Sequence, residues 1–182
     1  MAPMAKAKVS QLTYADLQAL PDDRNRYELI DGELLVSAAP NTAHQRAVAA
    51  LYRLLFSTAP RGFEVFFAPY DWYVDDRNVY EPDLLVAATD DLTDRYLPHP
   101  PVLAVEVLSP STRRTDLVRK RAAYERAGLP HYWLVDPVVP SLTVLERVGG
   151  RLVEVLAVKD DEVVELARPF PVSLSPASVA RP

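Results

Sequence analysis

Between Pro101 and Pro110 the chain reads VLAVEVLS, an apolar run interrupted only by Glu106 and the closing serine. A short run of this kind, bounded by prolines, is the mark of a strand buried on both faces. A carboxylate inside such a strand costs several kcal/mol unless a partner meets it. The rest of the chain must therefore bring something to Glu106. Two stretches are candidates. Upstream, Glu81-Pro82-Asp83 opens a second apolar run, Leu84–Ala88; downstream, helical spacing over about Thr115 to Ala127 carries Lys120 amid apolar positions.

Strand alternation sets Val102, Ala104, Glu106 and Leu108 on one face and Leu103, Val105, Val107 and Ser109 on the other. On the helix, Asp116, Lys120 and Tyr124 are four apart and share a stripe. A helix packed back onto the sheet brings Lys120 toward Glu106, and Asp83 reaches the same point if its strand neighbours the central one. Two carboxylates that close repel, and one takes up a proton unless a cation intervenes. Oxygen donors in a chain without cysteine suit Mg²⁺ or Mn²⁺.

Lysine is scarce. Of four, two lie at the N-terminus, and Lys120 is alone between Val9 and Val158 in a chain that otherwise chooses arginine. That choice points to a compact, titratable ammonium with its own chemistry. The net charge of −5 argues against a broad phosphate-binding surface. Residues 113–126 nevertheless hold six basic side chains against two acidic ones, which gives a phosphate-facing patch or a solvated helix surface. No apolar run approaches the ~18 residues needed to span a bilayer, and the N-terminus has no signal-peptide core. The expectation is one cytoplasmic domain over 1–182, with 1–9 and about 170–182 loosely held.

In chain order, Thr13 caps a short helix to Ala19, and Asp31-Gly32 turns a hairpin between Tyr27–Ile30 and Glu33–Val36. Pro40-Asn41-Thr42 opens a helix to about Ser57, with His44 in its first turns and Val48, Leu51, Leu54 and Leu55 on its buried face. Glu64–Phe67 and Asp71–Val74 are strands, and Val79 leads into the Glu81-Pro82-Asp83 strand. The helix starting at Thr115 as cap ends at Gly128 and Pro130. His131–Val135 is a strand, and Leu142–Arg147 with Arg151–Val158 form a second hairpin around Gly149-Gly150. Val163–Leu166 adds an edge strand. The order suits an α/β fold, a mixed central sheet flanked by helices with a hairpin at either end.

Glu81-Pro82-Asp83 followed by Val105-Glu106-Val107-Leu108-Ser109-Pro110-Ser111-Thr112 resembles the PD-(D/E)XK nuclease superfamily. The wider set resembles its Uma-two branch, restriction-endonuclease-like proteins. It takes in Tyr27-Glu28-Leu29-Ile30-Asp31-Gly32, His44, the acidic pair, Asp116, Lys120, Tyr124 and Tyr132-Trp133-Leu134-Val135-Asp136-Pro137. The superfamily's lysine two positions after the glutamate is here Leu108, and the branch places it on the next helix, where Lys120 matches.

The resemblance implies a restriction-endonuclease-like fold and Mg²⁺-assisted hydrolysis of DNA phosphodiesters, by a homodimer that cuts both strands. Asp83, Glu106 and the backbone carbonyl of Val107 would hold the metal, and Lys120 would orient the attacking water. Glu28 would bind a second ion or steady the first, and His44 would touch the phosphate or orient water. Two rival readings stand beside it: a non-catalytic DNA-binding module that keeps the fold, and a metal-dependent hydrolase of a small phosphorylated substrate.

Overall fold

The computed structural model describes residues 11–23, 25–37, 39–109 and 113–180. Residues 1–10 and the Pro110-Ser111-Thr112 end of the acidic motif lie outside the described residues, so the expectation for 1–9 is left there. The first element, α1 (Tyr14–Gln18), starts from a capping box in which the Thr13 hydroxyl accepts from the Asp16 amide and the Asp16 carboxylate accepts from the Thr13 amide. Strands β1 (Arg26–Ile30) and β2 (Glu33–Ser37) pair antiparallel about Asp31 and Gly32, whose φ values of 54° and 77° make the tight turn. A Cβ on Gly32 would come within 2.9 Å of Gln11 Cβ, so space as well as φ asks for glycine.

Asn41 caps α2 (Thr42–Thr58) through a bond from the His44 amide, and Ala47, Ala50, Leu51 and Leu55 form its buried stripe. Next come β3 (Phe63–Phe67), β4 (Trp72–Asp75), β5 (Asn78–Tyr80), β6 (Leu84–Ala88) and β7 (Leu103–Val107). Helix α3 has a π-helical stretch, Thr115–Lys120, continued by an α-helical one, Arg121–Arg126. The chain finishes with β8 (His131–Asp136), β9 (Ser141–Val148), β10 (Arg151–Lys159), β11 (Val164–Leu166), β12 (Val172–Leu174) and α4 (Pro176–Ala180).

The strands form a four-stranded sheet ordered β2-β1-β5-β4, a six-stranded sheet ordered β10-β9-β8-β7-β6-β3, and the ribbon β11-β12. All pairs within the six-stranded sheet are antiparallel except β7 with β8, which α3 joins in parallel. Strand β7 is buried along its whole length, as its composition requires. Leu103, Val105 and Val107 pack with α2, β12 and α4 on one face. Ala104 and Leu108 pack on the other face with Tyr124, Trp72 and Tyr80, between the two sheets and α3. Glu106 belongs by alternation to this second layer.

Three expectations change. Glu81-Pro82-Asp83 is not strand but the crossing from β5 in one sheet to β6 in the other, where Pro82 has no N–H to give a ladder. Thr115 is not a cap, because the residues before it are already helical and the helix continues through it. The tail is not loose: up to Ala180 it forms β12 and α4, and Phe170, Val172, Leu174 and Val179 are buried in the main core. Val164–Leu166 accordingly pairs with β12 and not with the central sheet.

Candidate active site

Leu84 pairs with Val105, so the residue before Leu84 and the residue after Val105 come side by side at the joint between the sheets. Those residues are Asp83 and Glu106, both almost fully buried. Asp83 Oδ2 accepts from the backbone amide of Val107 at 2.8 Å and from His44 Nε2 at 2.9 Å. Its Oδ1 accepts from Arg26 Nη1 at 2.6 Å. Glu106 Oε1 accepts from Lys120 Nζ at 2.9 Å and from the Tyr124 hydroxyl at 2.6 Å. The same ammonium stands 2.9 Å from Glu28 Oε2 and 3.9 Å from Asp116 Oδ1. Glu28 Oε1 in turn accepts from the Glu81 amide, tying β1 to the crossing.

Every residue singled out from the sequence is therefore in one cluster. Asp83, Glu106, Lys120, Glu28 and His44 meet there, with Val107 contributing its amide to Asp83. Lys120 is only 1% exposed, and the π-helical stretch that ends at it turns Asp116 and Lys120 inward together. Tyr124 and Asp116, which share the Lys120 stripe, are part of the cluster. Arg26 was not foreseen. Its signal was available, since on β1 it lies two positions before Glu28 and so on the same face.

The electrostatics follow from too many acids in a dry place. Four carboxylates, Glu28, Asp83, Glu106 and Asp116, face two fixed cations, Arg26 and Lys120. Burial pulls the Lys120 ammonium down, but Glu106 and Glu28 outweigh it and keep the lysine protonated. Burial drives the Glu106 carboxyl well above the ordinary glutamate range, with Asp83, Asp116 and Glu28 adding to the rise against Lys120. Burial also acts to raise Asp83, yet the His44 hydrogen bond and the Arg26 charge overcome it and hold that carboxylate below its ordinary value. Nearby, burial and Asp71 push the Glu81 carboxyl up to about 8.

The donor set fits a hard divalent cation in kind. It is all oxygen and imidazole, acids outnumber cations, and Glu81 Oε2 is buried without a hydrogen bond. Among the described residues no three His, Cys, Asp or Glu side chains already stand in ligating positions. The expected donors are two carboxylates, Asp83 and Glu106, with the Val107 carbonyl.

A cleft of about 800 Å³ opens beside this cluster, between α1, β1 and the start of α2. Arg26, His44, Asp71, Glu81, Asp83 and Ser109 are in its wall, and Glu28, Glu106 and Lys120 lie behind that wall. The basic run on α3 takes the blander of its two readings. Arg113 pairs with Asp136, Arg119 with Glu33 and Arg126 with Asp31, Arg121 donates to the Leu152 carbonyl, and Lys120 is buried.

The Uma2 family model, described as "Putative restriction endonuclease", matches residues 14–180. Among solved structures, the chain resembles a crystal structure described as "a putative nuclease belonging to DUF820" from Anabaena variabilis ATCC 29413, with a TM-score of 0.75. The two are 18% identical, and the match covers 93% of this chain and 97% of that one. At that identity the likeness shows the fold, a nuclease fold of mixed α/β type. A search of curated proteins found no match. No helix among the described residues is long and apolar enough to cross a membrane.

Proposed function

The chain belongs to the Uma2 family, whose model spans residues 14–180, and from that premise we propose that it is a Mg²⁺-dependent endonuclease hydrolysing DNA phosphodiester bonds in the cytoplasm. The observation that carries this reading is the convergence of Asp83, Glu106 and Lys120, from the β5–β6 crossing, β7 and α3, on one acid-rich cluster beside a cleft. Asp83, Glu106 and the Val107 carbonyl would hold the cation, with Mn²⁺ as a substitute and Glu28 behind them. When bound, such a cation polarises the phosphate and lowers the pKa of a water.

The chain's own groups do the rest. Lys120, kept protonated, acts as a fixed positive charge and donor and not as a base. It anchors Glu106 and Glu28 at once, which sets the carboxylates before any ligand arrives. Tyr124 locks the same Glu106 oxygen from the other side. His44 holds Asp83 through Nε2 and stands in the cleft wall where it can meet the phosphate or its attacking water. Arg113, Arg119 and Arg126 are held in ion pairs with Asp136, Glu33 and Asp31, and the acid cluster beside the cleft favours catalysis over a metal-free DNA-binding module.

A homodimer suits cleavage of both strands. What supports a contact at β3 is its position at the edge of the six-stranded sheet beside the exposed rings of Phe56 and Phe67.

The test is nicking of supercoiled plasmid with and without Mg²⁺. Wild type should nick only with metal, and Glu106→Gln and Asp83→Asn should lose at least a hundredfold while keeping their fold. Nicking that survives in Asp83→Asn, or that ignores chelation, removes the proposal.

A further inference from the structure

Asp83 has two oxygens, and both are taken. The partners of Oδ2 are built into the fold: the Val107 amide belongs to the backbone of a buried strand, and His44 is a buried side chain in the first turn of α2. Oδ1 has a different kind of partner. Arg26 reaches it with a long side chain that is 21% exposed, from the wall of the cleft. The negative charge around that guanidinium comes not only from Asp83 but also from Glu28 and Glu106. Arg26 thus stands where the inner carboxylates meet the cleft, in the place and with the sign of charge that a cation there would have. It is also the one lysine or arginine among the described residues of the cleft wall; Asp22, Asp23, Asp71, Glu81 and Asp83 are its acids.

We propose that Arg26 is a displaceable latch: it neutralises Asp83 while the site is empty of metal, competes with the divalent cation for that carboxylate, and on displacement becomes the cleft's contact for the substrate phosphate. This rests on the metal-dependent reading above and deepens it. The sense of the competition is fixed by charge. A divalent cation on Asp83 and a guanidinium at hydrogen-bond distance from the same carboxylate repel each other, so metal binding and the Arg26–Asp83 pair oppose each other. Once swung outward, a guanidinium offers a planar fork that matches a phosphate. A latch of this kind keeps an over-acidic cluster folded before metal arrives, and it couples metal entry to the exposure of a phosphate ligand. Arg26 is a positioning residue in the first state and meets substrate only in the second.

The experiment is Mn²⁺ titration of the purified full chain, followed by the electron paramagnetic resonance signal of free Mn²⁺, for wild type, Arg26→Gln and Arg26→Lys. The expected result is Mn²⁺ binding at least tenfold tighter in Arg26→Gln, with Arg26→Lys between the two because a shorter ammonium competes less well. At saturating Mn²⁺, Arg26→Gln should show a raised KM for DNA with a smaller change in kcat. Mn²⁺ affinity that is unchanged or weaker in Arg26→Gln overturns the latch, for Arg26 then orders Asp83 for the metal and does not oppose it. If thermal unfolding shows that Arg26→Gln does not fold, Arg26→Lys decides in the same way: tighter than wild type supports the latch, equal or weaker overturns it. The two proposals fail separately. Tighter Mn²⁺ binding without DNA cleavage by any form leaves the latch and removes the nuclease, while a metal-dependent nuclease whose Arg26 variants bind Mn²⁺ no tighter does the reverse.

Discussion

Replacing Lys120 by methionine keeps the length and volume of the side chain and removes one charge. In the folded protein that charge sits 2.9 Å from both Glu28 and Glu106 and 3.9 Å from Asp116. Each close pair is worth roughly 4 to 6 kcal/mol gross at an effective dielectric near 20, against several kcal/mol lost in burying the ammonium. Breaking a buried pair from one side costs about 3–5 kcal/mol net, which for a chain of this size lowers Tm by roughly 6–20 °C. The loss should also depend on pH. Glu106 is already held above its ordinary value by burial, and without Lys120 it rises further. A carboxyl whose folded pKa exceeds its unfolded one binds more protons when folded, so its stabilising effect is full at low pH and lost as pH rises through the folded pKa. The gap between Lys120→Met and wild type should therefore widen from a pH below Glu106's wild-type titration to one above it. Circular dichroism melts at the two pH values measure it. A Tm change under about 2 °C, or a gap that does not move with pH, would refute the picture of one ammonium balancing several buried acids.

Tyr124→Phe removes a donor 2.6 Å from a buried carboxylate oxygen and should cost about 1.5–3 kcal/mol in urea unfolding; a loss near zero would mean that the hydroxyl is not needed there. Phe170→Ala should cost about 3–5 kcal/mol, because Phe170 fills the main core beside Leu174 and Val179, whereas a loosely held tail would give almost nothing. Phe67→Glu places a charge on the exposed β3 edge. It should turn a homodimer into a monomer by light scattering without changing the circular dichroism spectrum, and an unchanged oligomer would move the contact elsewhere.

The local devices were legible because each rests on neighbouring residues: Asp31-Gly32 for the first hairpin, Gly149-Gly150 for the second, and the alternation that sends Glu106 and Leu103 to opposite faces. The meeting of Asp83, Glu106 and Lys120 was legible because a buried acid and a lone lysine are each costly without a partner. What the sequence concealed depends on long-range packing. Pro82 reads as a strand start, yet only the presence of two sheets makes it a crossing between them. The prolines of the tail suggested looseness, but Phe170, Val172 and Leu174 find an uncovered patch of core beside α2. The charge of residues 113–126 left two readings open because three of the acids that meet it, Asp136, Glu33 and Asp31, lie far away in the chain. Arg26 escaped notice for the opposite reason, since an arginine at a strand start is ordinary until its target is known.

The central claim is that Asp83 and Glu106 share a divalent cation at the joint between the two sheets. Crystals soaked in Mn²⁺ and measured for anomalous scattering test it most directly. The account predicts one strong anomalous peak contacted by both carboxylates, absent in Asp83→Asn, with the Arg26 guanidinium moved off Oδ1. No peak at Asp83 and Glu106 at saturating Mn²⁺, with the Arg26–Asp83 pair intact, would contradict it.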